Sequence, residues 1–144
     1  MKRKPLIPTP NRIAADPQQW SSCSQGSVVA HFITEYVDES YQCWHCKKTA
    51  IFTAREQKVS YEVRKANVNQ RRILCTDCWR ASMEITKHLA AQAQAWELSK
   101  ASLKNDKVFL SQWLDLLERQ HTYVPGKHDT ARENMLRNLL ESCP

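Results

Sequence analysis

Two Cys-x-x-Cys pairs constrain this chain more than any other feature: Cys43-Trp44-His45-Cys46 and, 28 residues later, Cys75-Thr76-Asp77-Cys78. Two such knuckles can place four thiolates at the corners of a tetrahedron. That is the geometry Zn²⁺ takes in closed structural sites, with Zn–S near ~2.3 Å. The spacer exceeds the roughly 15–20 residues of the common template, so something folded must fill it. The expectation is one structural zinc ion on Cys43, Cys46, Cys75 and Cys78. With four thiolates available, His45 reads as a bystander.

Two other uses of the cysteines compete. A thioredoxin-like redox pair needs one Cys-x-x-Cys in a strand–helix–strand setting, and neither pair has that setting. Disulfides need an oxidising compartment. The chain opens Met1-Lys2-Arg3-Lys4-Pro5 with no apolar run behind it, which is not a secretory signal, so a reducing, cytoplasmic location is expected. There, clustered cysteines are metal ligands more often than cross-links.

Only Gly26 and Gly126 are glycines in 144 residues, which disfavours a turn-rich all-β fold and excludes a Gly-rich phosphate loop. No stretch reaches the ~18 consecutive apolar residues of a membrane span. The net charge of +6 is unevenly placed. Residues 43–80 carry nine basic against three acidic residues, and four thiolates with one Zn²⁺ leave that segment at +4. Residues 81–144 balance eight against eight.

Taken in order, residues 1–30 read as a basic, Pro/Ser-rich flexible tail, since Pro5, Pro8, Pro10 and Pro17 interrupt any helix. Its basic start is a candidate for phosphate contacts. Residues 31–81 read as the four-cysteine module, with residues 28–42 extended ahead of the first knuckle and Thr49–Phe52 a short strand. Thr53-Ala54-Arg55-Glu56 matches a capping box, which opens a helix running to about Ala66 with Asn67 as its left-handed stop. Val59, Val63 and Ala66 would form its buried stripe, with Lys58, Tyr61 and Lys65 opposite. Val59, Tyr61 and Val63 also alternate at period two, the pattern of a hairpin strand; the cap favours helix. Arg71–Leu74 reads as a strand. Nothing breaks a helix from Thr76 to Asn105, so Cys75 and Cys78 fall on a helix N-terminus, whose positive end favours thiolate. A knuckle plus a ligand pair on a helix start resembles a treble clef.

Residues 82–144 read as helical. Ile85, Leu89, Ala93, Trp96 and Leu103 mark one helix face, and Asn105 or Asp106 caps the next helix. Val108, Phe109, Leu110, Trp113, Leu114, Leu116 and Leu117 nearly encircle that second helix. Thr130-Ala131-Arg132-Glu133 is a second capping box, opening a helix with Met135, Leu136, Leu139 and Leu140 inward. Short connections make these an antiparallel three-helix stack. The fold class is therefore mainly α, with a small zinc-ribbon or treble-clef-like module built on four cysteines.

Residues 36–80 resemble the bacterial family described as a "probable zinc-ribbon domain". The resemblance rests on Tyr36-Val37-Asp38, Cys43 and Cys46, Phe52-Thr53-Ala54 with Gln57, Tyr61-Glu62-Val63, Lys65, and Cys75 with Cys78. It implies zinc binding and no particular activity. The chain departs from the family at Lys47 and at Ala66-Asn67, where members usually carry glycine. It departs again at Trp79, which precedes Arg80 where members often place arginine directly after the last cysteine.

No catalytic constellation stands out. His88, His121 and His128 are scattered on polar positions, and a zinc ion held by four cysteines leaves no open position to activate water, so the chain reads as a non-enzyme. Two functions remain. One is nucleic-acid binding, to RNA or DNA, through Lys47, Lys48, Arg55, Lys58, Arg64, Lys65, Arg71, Arg72 and Arg80. Tyr61, Trp44 and Trp79 would offer stacking faces, with phosphate or shape readout. The other is a protein-interaction adaptor, or self-association, through the C-terminal helices.

Overall fold

The computed structural model describes residues 10–126 and 128–144; the basic start, Lys2, Arg3 and Lys4, lies outside them. The chain divides into two compact units, residues up to 43 with 47–73, and residues 44–46 with 74–144. Among the described residues no helix is long and apolar enough to cross a membrane.

The first unit holds two antiparallel strand pairs. Strand β1 (Arg12–Ala14) pairs with β2 (Glu35–Val37), Ile13 facing Tyr36, and β3 (Glu39–Gln42) pairs with β4 (Thr49–Phe52). From residue 10 onward the expected tail is therefore not a tail. The polar residues that suggested loop are caps instead. Asp16 accepts from Gln18 N–H and starts a 3-10 turn at Pro17–Gln19, and Ser21 accepts from Ser24 N–H and starts the one-turn helix α1 (Ser22–Gln25). Val28–His31, expected extended, is another 3-10 turn.

Thr53 and Glu56 form the expected capping box, opening α2 (Ala54–Lys58). The helix does not run regularly to Ala66. It widens into a π turn over Val59–Val63, with Arg64 N–H donating to Val59 O. The left-handed residue is Lys65 (φ 59°), not Asn67. This widening changes which face is buried. Tyr61 and Glu62 turn inward, while Val59 and Val63 are exposed. Tyr61 packs with Trp20, Tyr36, Phe52, Ala54 and Val68 in one core cluster. Burial raises the Tyr61 hydroxyl above its ordinary pKa.

A buried polar chain ties the N-terminal stretch to α2 and its π turn. Trp20 Nε1 donates to Tyr36 Oη (2.7 Å), which donates to Glu62 Oε1 (3.0 Å). Glu62 also accepts from Asp16 N–H (2.8 Å) and pairs with Lys58 Nζ (2.8 Å). Burial alone would raise the Glu62 carboxyl, but Lys58, the Asp16 amide and the Tyr36 hydroxyl outweigh it and hold the pKa below the ordinary value. Burial pushes the Tyr36 hydroxyl well above the phenol range.

The same geometry explains the residues shared with the zinc-ribbon family. Asp38 accepts from Ala54 N–H (2.7 Å), and Gln57 Nε2 donates to the carbonyls of Val37 (2.6 Å) and Phe52 (2.9 Å). These bonds fix the strands on either side of the first knuckle.

The second unit is the expected three-helix stack: α3 (Thr76–Leu103), α4 (Lys107–His121) and α5 (Thr130–Ser142). Asp106 caps α4, accepting from Phe109 N–H. Helix α3 departs from helical geometry at Ser99 (φ −139°, ψ 31°). Trp96, Leu110, Trp113, Leu117 and Leu136 form the core, with Trp113, Leu110 and Leu136 fully buried. The second capping box is displaced by one residue. Asp129 is the cap, accepting from Arg132 N–H, so Thr130 is already helical and Glu133 turns inward. Arg71–Leu74 forms no strand.

Candidate metal centre

Each knuckle is shaped by its own backbone. Cys43 follows β3; its N–H donates to Lys48 O (2.8 Å), and its carbonyl accepts from Lys47 N–H (2.9 Å). So tight a turn needs a left-handed residue, and Lys47 supplies it at φ 63°. That is the position where the zinc-ribbon family usually carries glycine. Cys75 is the N-cap of α3, with extended backbone and no side-chain capping bond. Its carbonyl accepts from Trp79 N–H (2.8 Å), and Cys78 stands on the first turn. The helix start thus places the second pair within one turn of each other.

The four sulfurs lie within 4.8 Å of one another, and Cys46 Sγ is 3.8 Å from Cys75 Sγ. A regular tetrahedron around zinc with bonds of ~2.3 Å has edges of about 3.8 Å. A disulfide would need about 2.05 Å, and no disulfide joins any of the six cysteines. Cys43 and Cys78 are buried. The donor set and its spacing fit one structural zinc ion, with Cys43, Cys46, Cys75 and Cys78 as ligands.

Residues 37–87 match the model of a family described as a probable treble clef domain, about a third of the chain. The knuckle, the helix-borne cysteine pair and this match define a treble-clef zinc module with four cysteine ligands. No curated protein and no solved structure gave a match.

The remaining sequence-derived site residues fall into four groups. Lys47, Lys48, Arg55, Arg64, Arg71 and Arg80 are exposed. Lys58, Lys65 and Arg72 have structural work. Lys58 holds Glu62 and the Ala14 carbonyl, Lys65 Nζ donates to the Gln19 carbonyl, and the Arg72 guanidinium lies 4.1 Å over the Phe52 ring. Tyr61 is core and offers no stacking face; the π turn that buries it leaves no signal in the hydrophobic pattern. Trp44 and Trp79 keep 37% and 54% of their surface exposed, whereas Trp20, Trp96 and Trp113 are buried.

His45 lies outside the ligand cluster, as expected, but has contacts of its own: its ring stacks on Tyr123 at 3.8 Å and 9°, and its Nδ1 lies 2.9 Å from Thr122 O. Two histidines depart from expectation. His121 Nε2 meets the buried Glu133 carboxylate at 2.5 Å, and the His128 ring lies 3.6 Å from the His121 ring. His88 is exposed as expected.

Proposed function

We propose that this protein is a non-catalytic, zinc-dependent binder of single-stranded nucleic acid. The observation that carries the reading is the exposure of Trp44 and Trp79, each one residue beyond a zinc ligand, in a chain that buries its other three tryptophans. An exposed indole offers a flat face for an unpaired base, and duplex bases are already stacked on one another. On the outer face of α3, Arg80 and Lys87 lie within about two turns of Trp79 and supply charges for phosphate; Met83 extends the apolar surface. Lys48, Arg55, Arg64 and Arg71 are exposed and without an ion pair among the described residues, and each is a further cation for phosphate. Such contacts read backbone and base faces rather than base identity. A zinc ion with four thiolate ligands serves as scaffold and leaves no position for activated water.

The alternative, a protein-interaction adaptor, draws on the apolar girth of α4, of which Leu110, Trp113, Leu116 and Leu117 are buried within the helical stack and Val108 is exposed.

Binding to a mixed-sequence single-stranded oligonucleotide should weaken steeply with salt. Lys48→Glu and Arg71→Glu should each flatten the log–log slope by roughly one, with zinc retained. Trp79→Ala should weaken binding by about 1–3 kcal/mol, and Trp79→Phe should recover much of it. No binding to single-stranded DNA or RNA at low salt refutes the proposal. Reversing Lys58 and Lys65 is the wrong test, because both side chains hold carbonyls of the N-terminal stretch.

A further inference from the structure

We propose that His45 couples zinc occupancy to the end of α4, so that the turn after α4 is ordered by the metal as well as by the helical core. His45 lies between two ligands, Cys43 and Cys46, and its backbone is therefore held wherever the metal holds them. Its side chain makes two contacts with the turn that leaves α4. The ring lies flat on Tyr123 (3.8 Å, 9°), and Nδ1 is 2.9 Å from the Thr122 carbonyl oxygen. A carbonyl can only accept, so Nδ1 carries the hydrogen and the contact fixes both the tautomer and the ring orientation. A stacked ring and a directed hydrogen bond on successive residues form a two-point clasp, which a surface histidine has no need to make.

The turn is built to receive it. Thr122 N–H and its hydroxyl both donate to Arg119 O, and the N–H groups of Tyr123 and Val124 both donate to Gln120 O. These bonds aim the Thr122 carbonyl and the Tyr123 ring away from the α4 ladder, where His45 meets them. His45 is thus a positioning residue for the metal centre, acting through the knuckle backbone rather than as a ligand. The proposal concerns the metal and the α4 end and is independent of what the protein binds.

Zinc release to a chromogenic chelator tests one direction. His45→Ala and Tyr123→Ala should each speed release roughly three- to tenfold, the scale of losing one aromatic stack. Tyr123→Phe, which keeps the ring, should behave as wild type. Because the Tyr123 ring acts only through its stack on His45, His45→Ala/Tyr123→Ala should be no faster than His45→Ala alone. Wild-type release in His45→Ala, or effects that multiply in the double variant, would overturn the coupling. Hydrogen exchange on the unaltered protein tests the reverse direction and does not depend on any variant folding. Chelation should expose the amides of Tyr123 and Val124 while those of Leu114 and Leu117 stay protected. Protection unchanged at Tyr123 and Val124, or lost uniformly along α4, would equally overturn it.

Discussion

Around α2 the buried side chains include Ser24, Gln57 and Glu62, whereas the interior of α3–α5 is built from Trp96, Leu110, Trp113, Leu117 and Leu136. The first region sets directed bonds around its aromatic cluster of Trp20, Tyr36, Phe52 and Tyr61: a carboxylate that collects an indole-linked phenol, an amide and an ammonium, and a glutamine that bridges two carbonyls. The second is ordered by area removed from water. Burial is tolerant of small errors in geometry, but an unmet polar group is not. A region built the first way is specific but weak unless something else fixes its chain, and four thiolates on one ion do so. The helical stack has its own apolar core.

That contrast is broken most severely by removing a ligand. Cys75→Ser should abolish zinc binding and unfold residues 43–80, because metal binding contributes ~10–16 kcal/mol to small zinc modules. Circular dichroism should still report the α4 and α5 helices. Uniform loss of helicity would mean that the two regions do not differ as described. The opposite lesion is Trp113→Ala, which empties the centre of the stack. It should cost about 3–5 kcal/mol in thermal or urea unfolding while zinc stoichiometry stays at wild type.

Glu62→Gln probes the polar network. It keeps the shape but removes the charge that Lys58 and the Asp16 amide face, and it should cost about 1–3 kcal/mol at neutral pH. The folded-state pKa of Glu62 lies below its ordinary value, so its contribution is complete above the ordinary glutamate range near ~4.3. It is lost as pH falls from there through the folded pKa. The stability gap between wild type and Glu62→Gln should therefore close in that acidic window; a gap independent of pH would mean that the charge is not what the network uses.

The smallest effect concerns the two left-handed lysines. Lys47→Gly should raise stability by about 1 kcal/mol, relieving an L-residue from a conformation that costs ~1–2 kcal/mol. Lys65→Gly should gain less or lose, since the Lys65 side chain also holds the Gln19 carbonyl.

Much of this architecture was legible in the residues. The cysteine spacing identified the ligand set, Thr53 and Glu56 marked the start of α2, and unbroken helix formers after Thr76 placed Cys75 and Cys78 on a helix start. The inward positions of α3 and α4 followed from helical periodicity. Other features carry no local mark. The π turn rotates Tyr61 inward by adding a residue to one turn, and periodicity arguments assume regular turns. Residues 10–30 hid behind serine and proline, whose role as caps depends on what the segment packs against. Lys58 and Lys65 read as exposed charges for phosphate because the carbonyls they hold are more than 40 residues away. His45 was masked by its neighbours, since beside four cysteines a histidine offers no pattern of its own.

Native mass spectrometry of the purified chain, before and after chelation, is the most direct test. One Zn²⁺ per chain, released by chelator with a shift to the higher charge states of an unfolded segment, is the predicted result. A chain that carries no metal, or whose charge-state distribution is the same with and without it, contradicts the claim that one ion closes this fold.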